Sequence, residues 1–254
     1  MKKPKKSNFI EWNNDIFVYS MKKINLNIIL IVILDALFYF LSGSILIFWL
    51  QRIQAKMAAF NLPTDVISLG YERAQQLVAE VKTFYYLIIF SFILILIAII
   101  FLASIFKGVI WAKTTKTKIS LRLISKFLGL NLIWMGFWFI LVILISYLVE
   151  PALAPRFMIA AIILGIFFTN TLYTIFMKKN ELKSIIDSIK LNIAKIHLFL
   201  LPYALIYLFF YILVRLTSLL SPKYSLTVLG ILTIFYAAIV RYYASILVLE
   251  IEKL

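Results

Sequence analysis

The chain has 254 residues, of which 64% are hydrophobic, 16% aromatic and only 15% charged. An ordinary soluble domain is about half apolar and about a quarter charged, so that class is excluded. The net charge of +15 comes from 26 Lys and Arg against 11 Asp and Glu, and the lack of cysteine rules out disulfides and thiolate chemistry.

The apolar residues gather in long runs, and about 20 of them in succession cross a hydrocarbon core of ~30 Å. The expected fold class is therefore an all-α polytopic membrane protein with six spans, at 27–50, 83–106, 127–149, 157–177, 198–220 and 225–249. Residues 1–26 read as a basic tail and 27–254 as a single membrane domain. The tail opens "MKKPKKSNF", and Phe9, Trp12, Ile16 and Tyr19 then recur at steps of three and four. That spacing predicts an amphipathic helix lying in the headgroup plane. The run from residue 27 is too long for a signal h-region and reads as an uncleaved first span.

Span 1 carries Asp35. A carboxylate at mid-helix costs roughly 2.5–3.5 kcal/mol, less than the surrounding apolar side chains return, so the span inserts regardless. After it, Gln51 to Phe60 reads as continued helix and Asp65 to Lys82 as a helix feeding span 2, with Thr64 or Asp65 as cap. This first outer hairpin is expected to protrude by several turns and to serve as a contact surface. The loop at 107–126 holds Lys107, Lys113, Lys116, Lys118, Arg122 and Lys126 with no acid. Within it Ile119, Leu123, Ile124 and Phe127 alternate with the bases, which predicts a second amphipathic lead-in.

Spans 3 and 4 are joined by the tight "EPALAPR". Span 4 offers Ala161 and Gly165 as a close-packing pair, and Asn170 flanked by Thr169 and Thr171. The next lead-in has Leu182, Ile185, Ile186, Ile189, Ile193 and Ile196 along one side. Lys183, Asp187, Lys190 and Lys195 fill the remainder, and Asn180 is its expected N-cap. Span 5 contains "LPYALIYLFFYILVR", in which Tyr203, Tyr207, Tyr211 and Arg215 fall every fourth residue. Such a row drifts by about 40° per step and winds about 120° over roughly 18 Å. It is expected to be a polar seam facing other helices, with Arg215 snorkelling to the headgroups. Span 6 carries Arg241 beside Tyr242 and Tyr243.

Each hairpin thus has a basic lead-in, and Ser20–Lys22, Ser120–Arg122 and Ser188–Lys190 echo one another. Trp49, Tyr85, Tyr147 and Tyr224 read as anchors at one interface, Trp111 and Tyr173 at the other. Eighteen Lys and Arg fall at the termini and even-numbered loops, six in the outer connections. The positive-inside rule then places both termini in the cytoplasm, and the expected location is the cell membrane. Lys113, Lys116, Lys118, Arg122, Lys126, Lys190 and Lys195 form a basic face expected to meet the anionic inner leaflet or a cytoplasmic partner. Juxtamembrane bases gain roughly 1 kcal/mol each against anionic lipid, so nucleic acid is not the expected partner.

The lone histidine is His197, and no spacing supplies the three or four convergent ligands of a metal site. HExxH, GxSxG, P-loop and GxGxxG patterns are all absent, so no catalytic residue, metal or cofactor is expected. The deep ionisable residues are Asp35, Arg215 and Arg241. Asp35 lies eight residues in from the start of span 1 and Arg241 eight from the end of span 6, both roughly 12 Å deep. That match predicts an Asp35–Arg241 pair, with Asn170 at similar depth completing a polar cluster. The expected function is a non-enzymatic scaffold, accessory or membrane-organising component. In outline, six spans with an N-terminal elbow helix and basic loops are also similar to the permease half of ABC exporters. That resemblance implies a coupling helix for an ATPase at 117–126 or 181–197, and makes a transporter subunit the alternative.

Overall fold

A computed structural model describes residues 9–58 and 70–254. The described residues form eight helices: α1 Phe9–Lys23, α2 Asn27–Ala58, α3 Gly70–Thr115, α4 Leu121–Leu148, α5 Ala154–Lys179, α6 Ser184–Ala194, α7 Ile196–Thr217 and α8 Pro222–Ile251. Six of them, α2 to α5, α7 and α8, are long and apolar enough to cross a membrane. The N-terminal lysines and the expected cap at Thr64 or Asp65 lie outside the described residues.

Helix ends follow local chemistry. Ser120 caps α4 by accepting a hydrogen bond from the Leu123 amide. Helix α3 ends where Lys116 turns to φ 59°, letting the Thr117 amide reach the Ala112 carbonyl at 2.8 Å. Asn180 ends α5 in the left-handed conformation, φ 55°. It is therefore a C-cap and not the N-cap of the next helix, since asparagine tolerates this conformation better than most residues. Prolines open α5 and α8, where no amide bond is lost, whereas Pro202 sits inside α7 without ending it.

The chain divides into two compact units, one of the residues up to Ala36 with Ser104–Leu254, the other Leu37–Ala103. In the smaller unit, Trp49 of α2 donates to Ser91 Oγ of α3 at 3.0 Å and its ring meets Phe92 at 5.8 Å. In the larger unit α1 packs on α8, α6 on α5, and α5 on both α4 and α8. Burial concentrates at the basic ends of its helices. Leu123 to Trp134 of α4, Thr171 to Met177 of α5 and Ala238 to Val248 of α8 supply most of the core. The opposite ends carry exposed Leu, Ile and Phe, which lipid solvates at no cost.

Three sequence expectations change here. No separate lead-in precedes α4: Leu123 and Phe127 belong to α4 itself and are buried, because Ser120 caps the helix at that point. Trp111 and Tyr173 are core residues, 3% and 5% exposed, in edge-to-face contact at 5.6 Å; a ring with a partner inside the bundle has no need of the headgroup zone. The expected face of α1 is split, Trp12 and Ile16 being buried toward α8 and Phe9 and Tyr19 left exposed.

Candidate functional site: an ion-paired centre

Asp35 of α2, Lys107 of α3 and Arg241 of α8 meet in the larger unit. Lys107 Nζ donates to Asp35 Oδ1 at 2.5 Å and Arg241 Nη2 to Asp35 Oδ2 at 2.8 Å. The Asp35 side chain is 1% exposed, Arg241 8% and Lys107 15%. Helical spacing builds this convergence. Lys107 and Trp111 lie one turn apart on α3, and the Trp111 ring lies 6.0 Å from the Arg241 guanidinium carbon. Ile31 sits one turn from Asp35, and with Ile110, Ala238 and Tyr242 it forms an apolar collar.

A second network continues from Trp111. Its ring neighbour Tyr173 donates to Asn131 Oδ1 at 2.6 Å, and Asn131 Nδ2 donates to Ser104 Oγ at 3.0 Å. Helices α5, α4 and α3 are thereby tied through one asparagine. Farther along α5, Thr169 accepts from Trp134 Nε1 and Thr171 donates to Asn192 of α6, both at 2.8 Å.

The centre holds two bases and one acid, and both carboxylate oxygens are already occupied. A buried charge is retained only when paired and hydrogen-bonded, and here a single aspartate serves two cations. Arg241 Nη1 and the Tyr242 hydroxyl are buried without a hydrogen-bond partner. Among the described residues no three His, Cys, Asp or Glu side chains converge as a metal site would require.

Of the residues singled out by sequence, Asp35 and Arg241 are thus in contact. Asn170 takes no part in the centre's hydrogen bonds; it is half-buried and lies beside Tyr203. Depth along the membrane normal carries no information about the azimuth at which a side chain leaves its helix. Tyr243 points to another face and packs edge-on to Phe17 of α1 at 5.9 Å. By sequence position Lys107 falls among the loop bases. The missed signal is that Val109, Ile110, Trp111 and Ala112 prolong the apolar run past it, so α3 runs to Thr115.

The tyrosine row divides in two. Tyr203 is buried among Phe167 and Phe199, and Tyr207 donates to the Ile163 carbonyl of α5 at 2.9 Å. Tyr211 is exposed and accepts from Arg215 Nε at 2.8 Å, with the guanidinium 5.2 Å from its ring centre. The row turns about the helix as its spacing requires, so its outer end leaves the interface.

On the basic face, Lys118, Arg122 and Lys190 are exposed and Lys195 is half-buried. Lys126 serves as a helix-end partner, donating to the Asn180 carbonyl at 2.9 Å. Asn27, Lys113, Lys116, Thr117 and Lys118 line a notch of about 400 Å³. Helix α6 is tethered by Lys179 to Asp187 at 2.7 Å, and that hydrogen bond holds the Asp187 carboxyl below the ordinary aspartate range. Its Ser184, Ser188 and Asn192 are fully buried while Ile186 and Ile193 are 54% and 65% exposed. His197 is exposed at the start of α7.

Compared with protein-family models, curated proteins and solved structures, the chain matches none.

Proposed function

We propose that this protein is a non-enzymatic, six-span membrane protein of the scaffold or membrane-organising kind, in which the Asp35 centre locks the helices in register. The observation that carries this reading is the use of both Asp35 oxygens by Lys107 and Arg241. A carboxylate so engaged carries a cation on each oxygen and ties α2, α3 and α8 together. Polar groups in a membrane core specify register more than they add stability.

In this reading the spans form three hairpins, α1 and α6 lie in the plane of the headgroups, and the basic end faces the cytoplasm. Support comes from eighteen Lys and Arg against six and from the exposed isoleucines of α6, which suit only an apolar medium. The native chain has no cysteine, so single-cysteine variants test the placement directly. With a membrane-impermeant maleimide on sealed right-side-out cell-membrane vesicles, Lys223→Cys is expected to label at once, and Lys118→Cys and Lys190→Cys only after permeabilisation. Ile186→Cys is expected to resist labelling even then. Labelling of Ile186→Cys as fast as Lys190→Cys would remove the in-plane placement.

One observation favours a second reading, a permease subunit with a polar path: the centre carries an excess positive charge, with Arg241 Nη1 and the Tyr242 hydroxyl unpartnered. Affinity purification of the full chain in mild detergent separates the two. A stoichiometric nucleotide-binding ATPase would establish the permease reading, while the chain alone or with lipid would retain the scaffold.

A further inference from the structure

The start of α2 and the end of α3 border the open notch of about 400 Å³, a volume within the range of small-molecule sites, about 300–1,000 Å³. Lys113, Lys116 and Lys118 all line it, with Asn27 and Thr117 beside them and no acidic residue. Lys113 is half-buried, and Lys116 and Lys118 are exposed.

Lysines at the end of a helix ordinarily serve its last carbonyls. Here those carbonyls are already taken. The Thr114 and Thr115 hydroxyls donate to the Ile110 and Trp111 carbonyls at 2.9 and 2.8 Å. The Thr117 and Lys116 amides reach the Ala112 and Lys113 carbonyls at 2.8 and 3.4 Å. Among the described residues none of the three ammonium groups enters an ion pair or a hydrogen bond. Elsewhere at this end Lys126, Lys178 and Lys179 are engaged by the Asn180 carbonyl, Glu252 and Asp187. Three like charges round one notch repel one another. Asn27, the first residue of α2, brings the positive end of that helix to the same place.

We propose that this notch is a binding site for a phosphomonoester, carried by a lipid headgroup or by a soluble molecule. The charge count selects the ligand. A carboxylate or a phosphodiester brings one negative charge and leaves two of the three ammonium groups uncompensated. A phosphomonoester brings about −1.5 to −2 at pH 7 and three acceptor oxygens, one for each of Lys113, Lys116 and Lys118. Hydrogen bonds between ionised partners of this kind are the short and strong ones.

The test uses the full chain in mild detergent. Native mass spectrometry counts the lipids retained from phosphatidic acid, a monoester, and from phosphatidylglycerol, a diester, and calorimetry follows glycerol 3-phosphate. One phosphatidic acid per chain is expected to be retained in preference to phosphatidylglycerol. Lys113→Gln and Lys118→Gln are each expected to weaken that binding about fivefold, roughly 1 kcal/mol at 1.4 kcal/mol per tenfold. Lys116 stands in the left-handed region, φ 59°, which glycine adopts freely. Lys116→Gly is therefore expected to keep the native thermal midpoint and still bind about fivefold more weakly, so that lost binding is not confused with lost folding. Lys183→Gln removes a charge from the same end of the molecule but outside the notch, and is expected to change binding less than twofold.

Binding of glycerol 3-phosphate in competition with phosphatidic acid would uphold the site and name the soluble phosphomonoester as sufficient. Phosphatidic acid retained without glycerol 3-phosphate binding would uphold it with the lipid as source. Equal retention of the two lipids would overturn the phosphomonoester assignment. A loss for Lys183→Gln as large as for Lys113→Gln, or no binding of either phosphomonoester, would overturn the notch. Detergent opens both faces of the chain to the ligand, so failure here leaves the orientation and the scaffold reading untouched.

Discussion

Two bases contending for one acid set an order of sensitivity at the residue scale. Asp35→Asn leaves Lys107 and Arg241 facing each other without a counter-charge. Removing one partner of a buried ion pair costs about 3–5 kcal/mol. Lys107→Met instead leaves a balanced Asp35–Arg241 pair at 2.8 Å and removes the excess charge. The expected outcome is a large loss of monodisperse protein on size-exclusion chromatography for Asp35→Asn and a near-normal profile for Lys107→Met. The reverse order would show that the bundle does not depend on the Asp35 charge. The contact between Asp35 and Arg241 was legible because two charges at equal depth in a low-dielectric slab have few other ways to be neutralised. Lys107 was not legible, because a lysine at the end of an apolar run looks the same whether it turns to the headgroups or into the bundle.

At the scale of the element, α6 inverts the usual rule for an amphipathic helix. Its periodic isoleucines announced the outward face, but nothing in the pattern marked Ser184, Ser188 and Asn192 as the packed one. Small side chains allow close approach of helix to helix, a preference set by the neighbour and not by hydropathy. Ser188→Leu is therefore expected to destabilise the protein although it adds hydrophobicity, by about 1–3 kcal/mol as overpacking does. Ile186→Ser, at a residue 54% exposed, is expected to stay within about 0.5 kcal/mol in detergent. Thermal midpoints in one detergent compare the two, and equal midpoints would show that α6 does not pack through its serines. Helix α4 shows the complementary case. Ser120, read from its position as one of three echoed Ser-x-basic steps, acts as a cap, and the amphipathic residues after it simply continue into the span.

For the whole molecule, the uneven distribution of burial predicts an uneven map of tolerance. Leu247 is fully buried near the basic end of α8 and Leu226 is 77% exposed near its other end. Lipid removes most of the transfer term, so the cost of Leu247→Ala is chiefly the cavity it leaves, about 2 kcal/mol or more. Leu226→Ala is expected to be neutral, and equal thermal midpoints for the two would contradict the burial pattern. The sequence by itself determined that the chain is helical and that six of its helices are long and apolar enough to span a bilayer. Those properties depend on run length and composition along one dimension, which hydrocarbon thickness and the solvation of charge read directly. The tertiary structure decided which groups meet. It brought Lys107 to Asp35, left Asn170 beside Tyr203, drew Trp111 and Tyr173 into the core and turned the serines of α6 inward. Each of these depends on the azimuth at which one helix faces another, and azimuth is fixed by packing between segments far apart in the chain.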